Sequence, residues 1–169
     1  CRTREDIMKI KQLEPTYLRY VYDGLDKGSI SPNNPTSLPI GFIGLFEDEF
    51  PSSMPLEERM SLLNRLAMWA LLKGPVSIEM VAEILNEESE RTKALVDRYS
   101  KWFNSPEPAK YVLYHDRLRT YLLQKLSDYE VQDLNEILIS YLENSLNDEE
   151  STEAEFYALE YLSTHLVVE

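Results

Sequence analysis

The sequence KWFNSPEPAKYVLYHDRLRTYLL, residues 101–123, decides which fold the chain is expected to adopt. Two short β-prone runs flank a six-residue loop that contains two prolines, which is the composition of a β-hairpin. The residues HDRLRTYLL then place apolar side chains at helical spacing. The stretch therefore predicts a hairpin that runs directly into an amphipathic helix.

Three helices are predicted before this hairpin. EERMSLLNRLAMWALLKGP, residues 57–75, is apolar on nearly all sides, which indicates a central buried helix that stops at Gly74-Pro75. Ser77 is placed to cap a short second helix, and a third begins near Ser89. The expected fold class is therefore mainly α: a winged helix-turn-helix of three helices and a short β-hairpin, flanked by helical segments.

The end of the chain is acidic and helical. The net charge of the 169 residues is −13, and residues 128–169 alone hold 12 acidic residues and no Lys or Arg. Their apolar residues recur at helical spacing in two sets: Val131, Leu134, Ile137, Leu138, Tyr141 and Leu142, then Phe156, Leu159, Leu162 and Leu166. Because phosphate binding requires clustered Lys and Arg, we do not expect this chain to bind nucleic acid.

Composition divides the chain into three parts and bounds its location. Residues 1–36 read as helices broken at Pro15 and followed by a linker, residues 37–127 as the winged-helix domain, and residues 128–169 as the acidic helical segment. A single cysteine fits a reducing compartment, and no apolar run reaches the length of a membrane span, so a cytoplasmic location is expected. The first residue is Cys1, which suggests a piece of a longer protein.

The motifs of common enzymes are missing from the sequence. It contains no G-x-x-x-x-G-K-S/T phosphate loop and no G-x-S-x-G nucleophile motif. The two histidines, His115 and His165, lie 50 residues apart, and they do not form a clustered metal-binding pattern. We therefore expect no enzymatic activity, no catalytic residue and no metal site in this chain by itself.

The pair His115-Asp116 allows two interpretations. In the first, Asp116 caps the following helix through its carboxylate, and His115 is a strand-end side chain without a task. In the second, the pair forms a functional site. The residues alone leave both interpretations open.

Four sequence blocks together resemble the STAND signalling ATPases, which include the NACHT and NB-ARC proteins. Tyr-His-Asp opening a helix after a winged helix is similar to their Met-His-Asp motif, with Tyr114 expected to fill the apolar slot of the methionine. The other three blocks follow the order of the family: LEPTYLRYV (13–21), SLPIGFIGLFEDEF (37–50) and EFYALEYLSTHLVVE (155–169).

The resemblance implies two nucleotide contacts. Pro15 matches the proline that packs against the adenine base, and His115 matches the histidine that reaches the β-phosphate of bound ADP. Asp116 would cap its helix and hold His115 in position. ADP, or ATP with magnesium, would be held in the full-length parent by an upstream P-loop domain, and no cofactor is expected for this fragment alone.

The resemblance also implies a role in signalling. Residues 1–36 would end the first helical domain, and residues 128–169 would begin the second. The chain would control autoinhibition and oligomerisation of a signalling switch in innate immunity or antiphage defence. Its partners would be the upstream P-loop domain, a downstream repeat or sensor domain, and further copies of the protein upon activation.

Two other functions remain open at this point. The first alternative is a DNA-binding transcription regulator, in which Arg91, Arg98 and Lys101 line the outer side of the third helix. Glu88, Glu90 and Asp97 lie among these basic residues and would repel phosphates. In this alternative the acidic tail binds a partner, and a plain adaptor that docks through the same tail is the second alternative.

Overall fold

The computed structural model describes residues 22, 25–26, 50, 53–147 and 152–167. The chain divides into two compact units, Cys1–Arg59 and Met60–Glu169, and most of the described elements belong to the second. Tyr22, Leu25 and Asp26 are helical, as the sequence predicts. Pro15 lies outside the described residues, as does most of the predicted first helical domain.

Within residues 53–147 and 152–167 the chain is mainly helical, with six α-helices and one three-stranded antiparallel sheet. The prediction of a mainly α fold with a hairpin is thus confirmed. A short 3₁₀ turn, Ser100–Trp102, precedes the second strand. The elements in chain order are α1 (Leu56–Leu71), β1 (Val76–Ser77), α2 (Ile78–Ile84), α3 (Ser89–Arg98), β2 (Phe103–Glu107), β3 (Lys110–Leu113), α4 (Asp116–Gln124), α5 (Asp128–Ser145) and α6 (Glu153–Leu166).

The hairpin is tighter than the sequence predicts. Pro108 and Ala109 alone connect β2 to β3, so the predicted six-residue loop is wrong. Ala109 has a positive φ of 60°, which a type II turn requires at the residue after Pro108. The register shifts between Asn104 and Glu107, and Pro106 lies in this irregular part, where a missing N–H is tolerated.

A third strand, β1, joins the hairpin in the strand order β1-β3-β2. Val76 pairs with Tyr111 and Ser77 with Lys110, both antiparallel. The strand is only two residues long and leads straight into α2, whose N-cap is Ser77 as predicted. Sequence periodicity did not predict β1, because two residues are too few to show alternation.

The core forms around the carboxyl-terminal half of α1. The buried residues of α1 begin at Leu62 and lie on all sides of the helix: Leu62, Leu63, Leu66, Ala67, Met68, Trp69, Ala70 and Leu71. The ring of Trp69 packs edge-on against Phe103 of β2 at a centroid distance of 5.0 Å. The predicted central helix is therefore correct for this half, whereas Leu56 at its start is exposed.

The two tail helices pair with each other. Ser127 begins α5 with a reciprocal capping box to Glu130, which satisfies two backbone donors of the first turn. Leu134, Leu138 and Leu142 form the buried side of α5, as the spacing predicts, although Ile137 is 47% exposed.

The apolar set that recurs at helical spacing in α6 is not its buried side. Phe156, Leu159 and Leu166 are exposed, and the buried residues are Ala154, Tyr157, Ala158 and His165. Both sides of this helix carry apolar residues at helical spacing, so periodicity cannot choose between them. The side with the small alanines is buried, since they allow close packing, and Tyr157 finds hydrogen-bond partners there.

The register of α5 can be tested with two neighbouring residues. Leu138→Ala should lower the free energy of unfolding by about 2–5 kcal/mol, because Leu138 is fully buried and the change leaves a cavity. Ile137→Ala should cost under about 1 kcal/mol, since much of that side chain already contacts water. Urea unfolding followed by circular dichroism measures both, and equal losses would contradict the helix orientation.

Candidate functional site

His115 lies where the hairpin passes into α4. Leu113 ends β3 as a buried residue, and the Tyr114 N–H donates to the carbonyl of Trp102 at 2.8 Å. This hydrogen bond fixes the last residue before the helix. His115 still has an extended backbone, with φ −141° and ψ 132°, and the helix begins at the next residue.

His115 itself is the N-cap of α4. Its Nδ1 accepts the backbone N–H of Arg117 at 3.1 Å, which satisfies one of the donors that a helix start leaves without a partner. The prediction that Asp116 is the cap is wrong, because Asp116 is already the first helical residue. Its carboxylate is fully exposed, and Oδ1 lies 3.9 Å from Nε of Arg119.

The cap fixes the tautomer of His115. An imidazole nitrogen that accepts a hydrogen bond carries no hydrogen, so in the neutral ring the hydrogen belongs to Nε2. Nε2 is therefore a donor, and the ring is only partly buried. The positive end of the α4 dipole adds to the potential at this position. The arrangement suits an anion with acceptor oxygens, such as a phosphate.

Tyr114 does not fill an apolar slot. Its side chain is 43% exposed, and its ring centroid lies 6.5 Å from that of His115. The expectation based on the family's methionine is therefore wrong for this residue. The structure instead places a partly exposed aromatic ring beside the candidate histidine.

Arg119 ties the first turn of α4 to the end of α1. Its guanidinium donates to the carbonyls of Ala70, at 3.3 Å, and Leu72. These carbonyls belong to the carboxyl end of α1, where acceptors lack helical partners. Burial lowers the pKa of Arg119, while the nearby Asp116 opposes this change. The orientation of the helix that carries His115 is thus set by a part-buried cation.

A second polar cluster joins α6 to the same end of α1. The Lys73 N–H donates to the Tyr157 hydroxyl at 2.8 Å, and that hydroxyl lies 3.2 Å from Nε2 of His165. The hydroxyl hydrogen is then directed to His165. Burial raises the pKa of Tyr157 to about 12, and burial with the nearby Lys73 lowers the pKa of His165 to about 4. His165 is thus a buried structural residue.

Gly74 allows α6 to approach closely at this cluster. A Cβ atom at Gly74 would lie 2.9 Å from Cε2 of Tyr161, which is closer than real Cβ contacts come. The sequence predicts that Gly74 ends the first helix, but α1 already ends at Leu71. The lack of a side chain at Gly74 therefore matters for packing against Tyr161.

The outer side of α3 is electrically mixed. Arg91 Nε lies 3.7 Å from Glu87 Oε2, and Lys93 Nζ lies 2.6 Å from Asp97 Oδ2. The guanidinium of Arg98 lies 5.3 Å from the ring centroid of Tyr99. Because carboxylates lie beside Arg91 and Lys93, this side of α3 is less positive than a DNA-reading helix needs to be.

An open cavity of ≈ 330 Å³ lies between α2 and the tail helices, and its charged lining is acidic: Glu79, Glu83 and Glu153. Two of these carboxylates already accept hydrogen bonds, from Tyr141 Oη at 2.6 Å and from the Ser77 N–H at 3.1 Å. Among the residues that the structure describes, no three His, Cys, Asp or Glu side chains gather to hold a metal ion.

Of the two predicted nucleotide-contacting residues, the structure describes His115 alone, and their separation therefore stays untested. Comparisons with protein-family models, curated proteins and solved structures gave no match. At 18 residues α5 is the longest described helix, and neither it nor any other described helix has the apolar length that a bilayer crossing requires. The geometry of His115 is thus the main evidence for a site.

The burial of His165 predicts that the free energy of unfolding depends on pH. Since its folded-state pKa of about 4 is below the ordinary 6.5, the unfolded chain binds this proton more tightly. The contribution of His165 to stability is complete above about pH 6.5 and is lost as the pH falls towards 4. Relative to His165→Gln, which keeps an acceptor for Tyr157, the wild type should lose about 2–3 kcal/mol between pH 7 and 4. If the unfolding free energies of the wild type and His165→Gln changed equally with pH across this range, the buried neutral state of His165 would be contradicted.

The charge pattern of α3 makes a prediction about DNA. The chain should leave the mobility of a random DNA duplex unchanged at about 50 mM salt, because paired carboxylates would repel the phosphates. An electrophoretic shift assay measures this. A shift that weakens as salt rises, and that is lost in Arg91→Gln, would instead support the DNA-binding alternative.

Proposed function

We propose that this chain is the regulatory portion of a STAND-type signalling ATPase. In this proposal residues 37–127 form a winged-helix domain, and residues 128–169 begin a second helical domain. His115 would contact a phosphate of the bound nucleotide and hold the closed, inactive state. The observation that carries the proposal is the N-cap geometry of His115, which leaves Nε2 as a hydrogen-bond donor.

The arrangement of the elements supports the winged-helix part of the proposal. A helix, a two-residue strand, two more helices and a hairpin follow one another, and the strand order is β1-β3-β2. α4 leaves the hairpin with His115 at its start, where the family has its histidine. The four ordered sequence blocks supply the rest of the support.

The residues present suit a phosphate group better than a whole nucleotide. His115 offers one donor at a helix start, and the sequence contains no phosphate loop that could enclose a triphosphate. ADP, or ATP with magnesium, would supply the phosphate oxygens and be held by the P-loop domain of the parent protein. This chain would then sense the nucleotide without hydrolysing it.

The contacts around α1 offer a route by which His115 could act on the rest of the chain. Arg119, one turn after His115, holds the carbonyls at the end of α1. Lys73, directly after these carbonyls, is bonded to Tyr157 of α6. A change in the position of α4 would therefore disturb the contact between α6 and the end of α1. A nucleotide that binds the two positions of α4 unequally would shift their populations.

Two substitutions separate a nucleotide contact from a capping role. In the full-length parent, His115→Ala should remove both functions, whereas His115→Asn should keep the cap and remove the Nε2 donor, because asparagine is a good N-cap with a shorter side chain. Both variants should retain ADP about 10- to 100-fold less tightly, since a hydrogen bond to a charged group is lost. Both should also raise activity without a signal.

Labelled ADP retained after gel filtration, together with an oligomerisation assay, gives the two readouts. Thermal unfolding of each variant serves as the control for the cap. Normal ADP retention in His115→Asn, with a loss only in His115→Ala, would reduce His115 to a structural cap and contradict the proposed contact.

A further inference from the structure

The outer side of α6 carries an apolar stripe that the described fold does not bury. The stripe consists of Phe156, Leu159, Leu162 and Leu166, which recur at intervals of three and four residues. Phe156 is 63% exposed, Leu159 71% and Leu166 55%, while Leu162 is partly exposed. The helix meets the rest of the chain through its other side, at Tyr157 and His165. The α6 stripe is therefore an apolar surface open to water.

The charge around the α6 stripe is of one sign. Glu160 borders the stripe beside Phe156, and Glu155 lies within it, one turn before Leu159. Residues 128–169, which form both tail helices, have a net charge of −12, because they hold 12 acidic residues and no Lys or Arg. Any group that covers the stripe must therefore enter a strongly negative potential.

This charge distinguishes between possible partners. A second copy of the chain would bring another segment of net charge −12 against the first. Anionic lipid and nucleic acid would meet the same repulsion. An apolar surface with positive borders would be attracted, and complementary charge also speeds its association.

We infer that the α6 stripe is a docking surface for a basic amphipathic helix of a partner protein. The stripe runs along a helix of 14 residues, about 21 Å, so a partner helix of four turns would cover it. Apolar anchors at intervals of three and four residues are the usual means by which one helix recognises another. Lys and Arg beside the partner's leucines would face Glu160 and the negative potential of residues 128–169. The inference does not depend on the proposed nucleotide switch.

A synthetic peptide of about 18 residues with leucines on one side and lysines on the other is a suitable probe. Fluorescence anisotropy of the labelled peptide, titrated with the 169-residue chain, should show saturable binding that weakens as salt rises. A peptide with glutamate in place of each lysine should not bind. A scrambled lysine and leucine peptide, whose leucines do not align, should bind weakly.

Leu159→Gln tests the stripe itself, because glutamine keeps the helix propensity of leucine and removes its apolar surface. Its affinity for the lysine peptide should fall about 10-fold or more. Leu56→Gln is the matched control, since Leu56 is 72% exposed but lies outside the acidic segment. Its affinity should equal that of the wild type, and circular dichroism should show unchanged helix content in both variants.

Three outcomes would overturn the inference. The first is a lack of saturable binding by the lysine peptide, and the second is equal binding by Leu159→Gln and the wild type. The third is a concentration-dependent dimer, detected by light scattering, that Leu159→Gln abolishes, because the occupant would then be a second copy of the chain.

Discussion

The carboxyl end of α1 is a buried helix terminus whose backbone groups need partners, and side chains from two later helices provide them. Arg119 of α4 donates to the carbonyls of Ala70 and Leu72, and Tyr157 of α6 accepts the N–H of Lys73. A buried backbone group without a hydrogen bond costs about 1–3 kcal/mol, so these contacts are strong constraints. The position of the candidate histidine and that of the acidic tail therefore both depend on residues 70–73, at the end of α1.

This shared anchor gives the proposed switch a physical basis. His115 and Arg119 lie one helical turn apart, so His115 cannot move far with its helix while Arg119 keeps its carbonyls. Arg119 is a part-buried cation held by neutral acceptors, and its lowered pKa reflects that loss of solvent. In the proposed switch, an anion bound at His115 would favour one position of α4. Such a bias requires no flexibility inside the helices themselves.

Sequence patterns predicted the elements better than their orientations. The hairpin, the capped α2 and the leucine side of α5 follow from turn chemistry and spacing, which are local properties. β1 was missed because Val76 and Ser77 form a strand only through pairing with β3. Spacing alone does not predict the buried face of α6, because that face depends on Gly74, Ala154 and Ala158, whose contribution is the space they leave for neighbouring helices. The spacing of apolar residues in the sequence does not show where such close packing occurs.

The candidate site shows the same division. The sequence singles out His115 as the candidate residue, but it places the cap at Asp116, whose carboxylate is the commoner capping group. The hydrogen bond from Tyr114 to Trp102 keeps the chain extended through His115, which moves the cap back by one position. As a result the tautomer of His115, and with it the donor at Nε2, became evident only from the structure. The assignment of Pro15 stays a prediction.

The structure of the ADP-bound parent protein would test the central claim most directly, through the distance from Nε2 of His115 to the nearest phosphate oxygen. The account predicts a hydrogen bond of about 2.7–3.2 Å, with Nδ1 still accepting the N–H of Arg117. A phosphate bonded only to other groups, with the His115 ring turned away from it, would contradict the account.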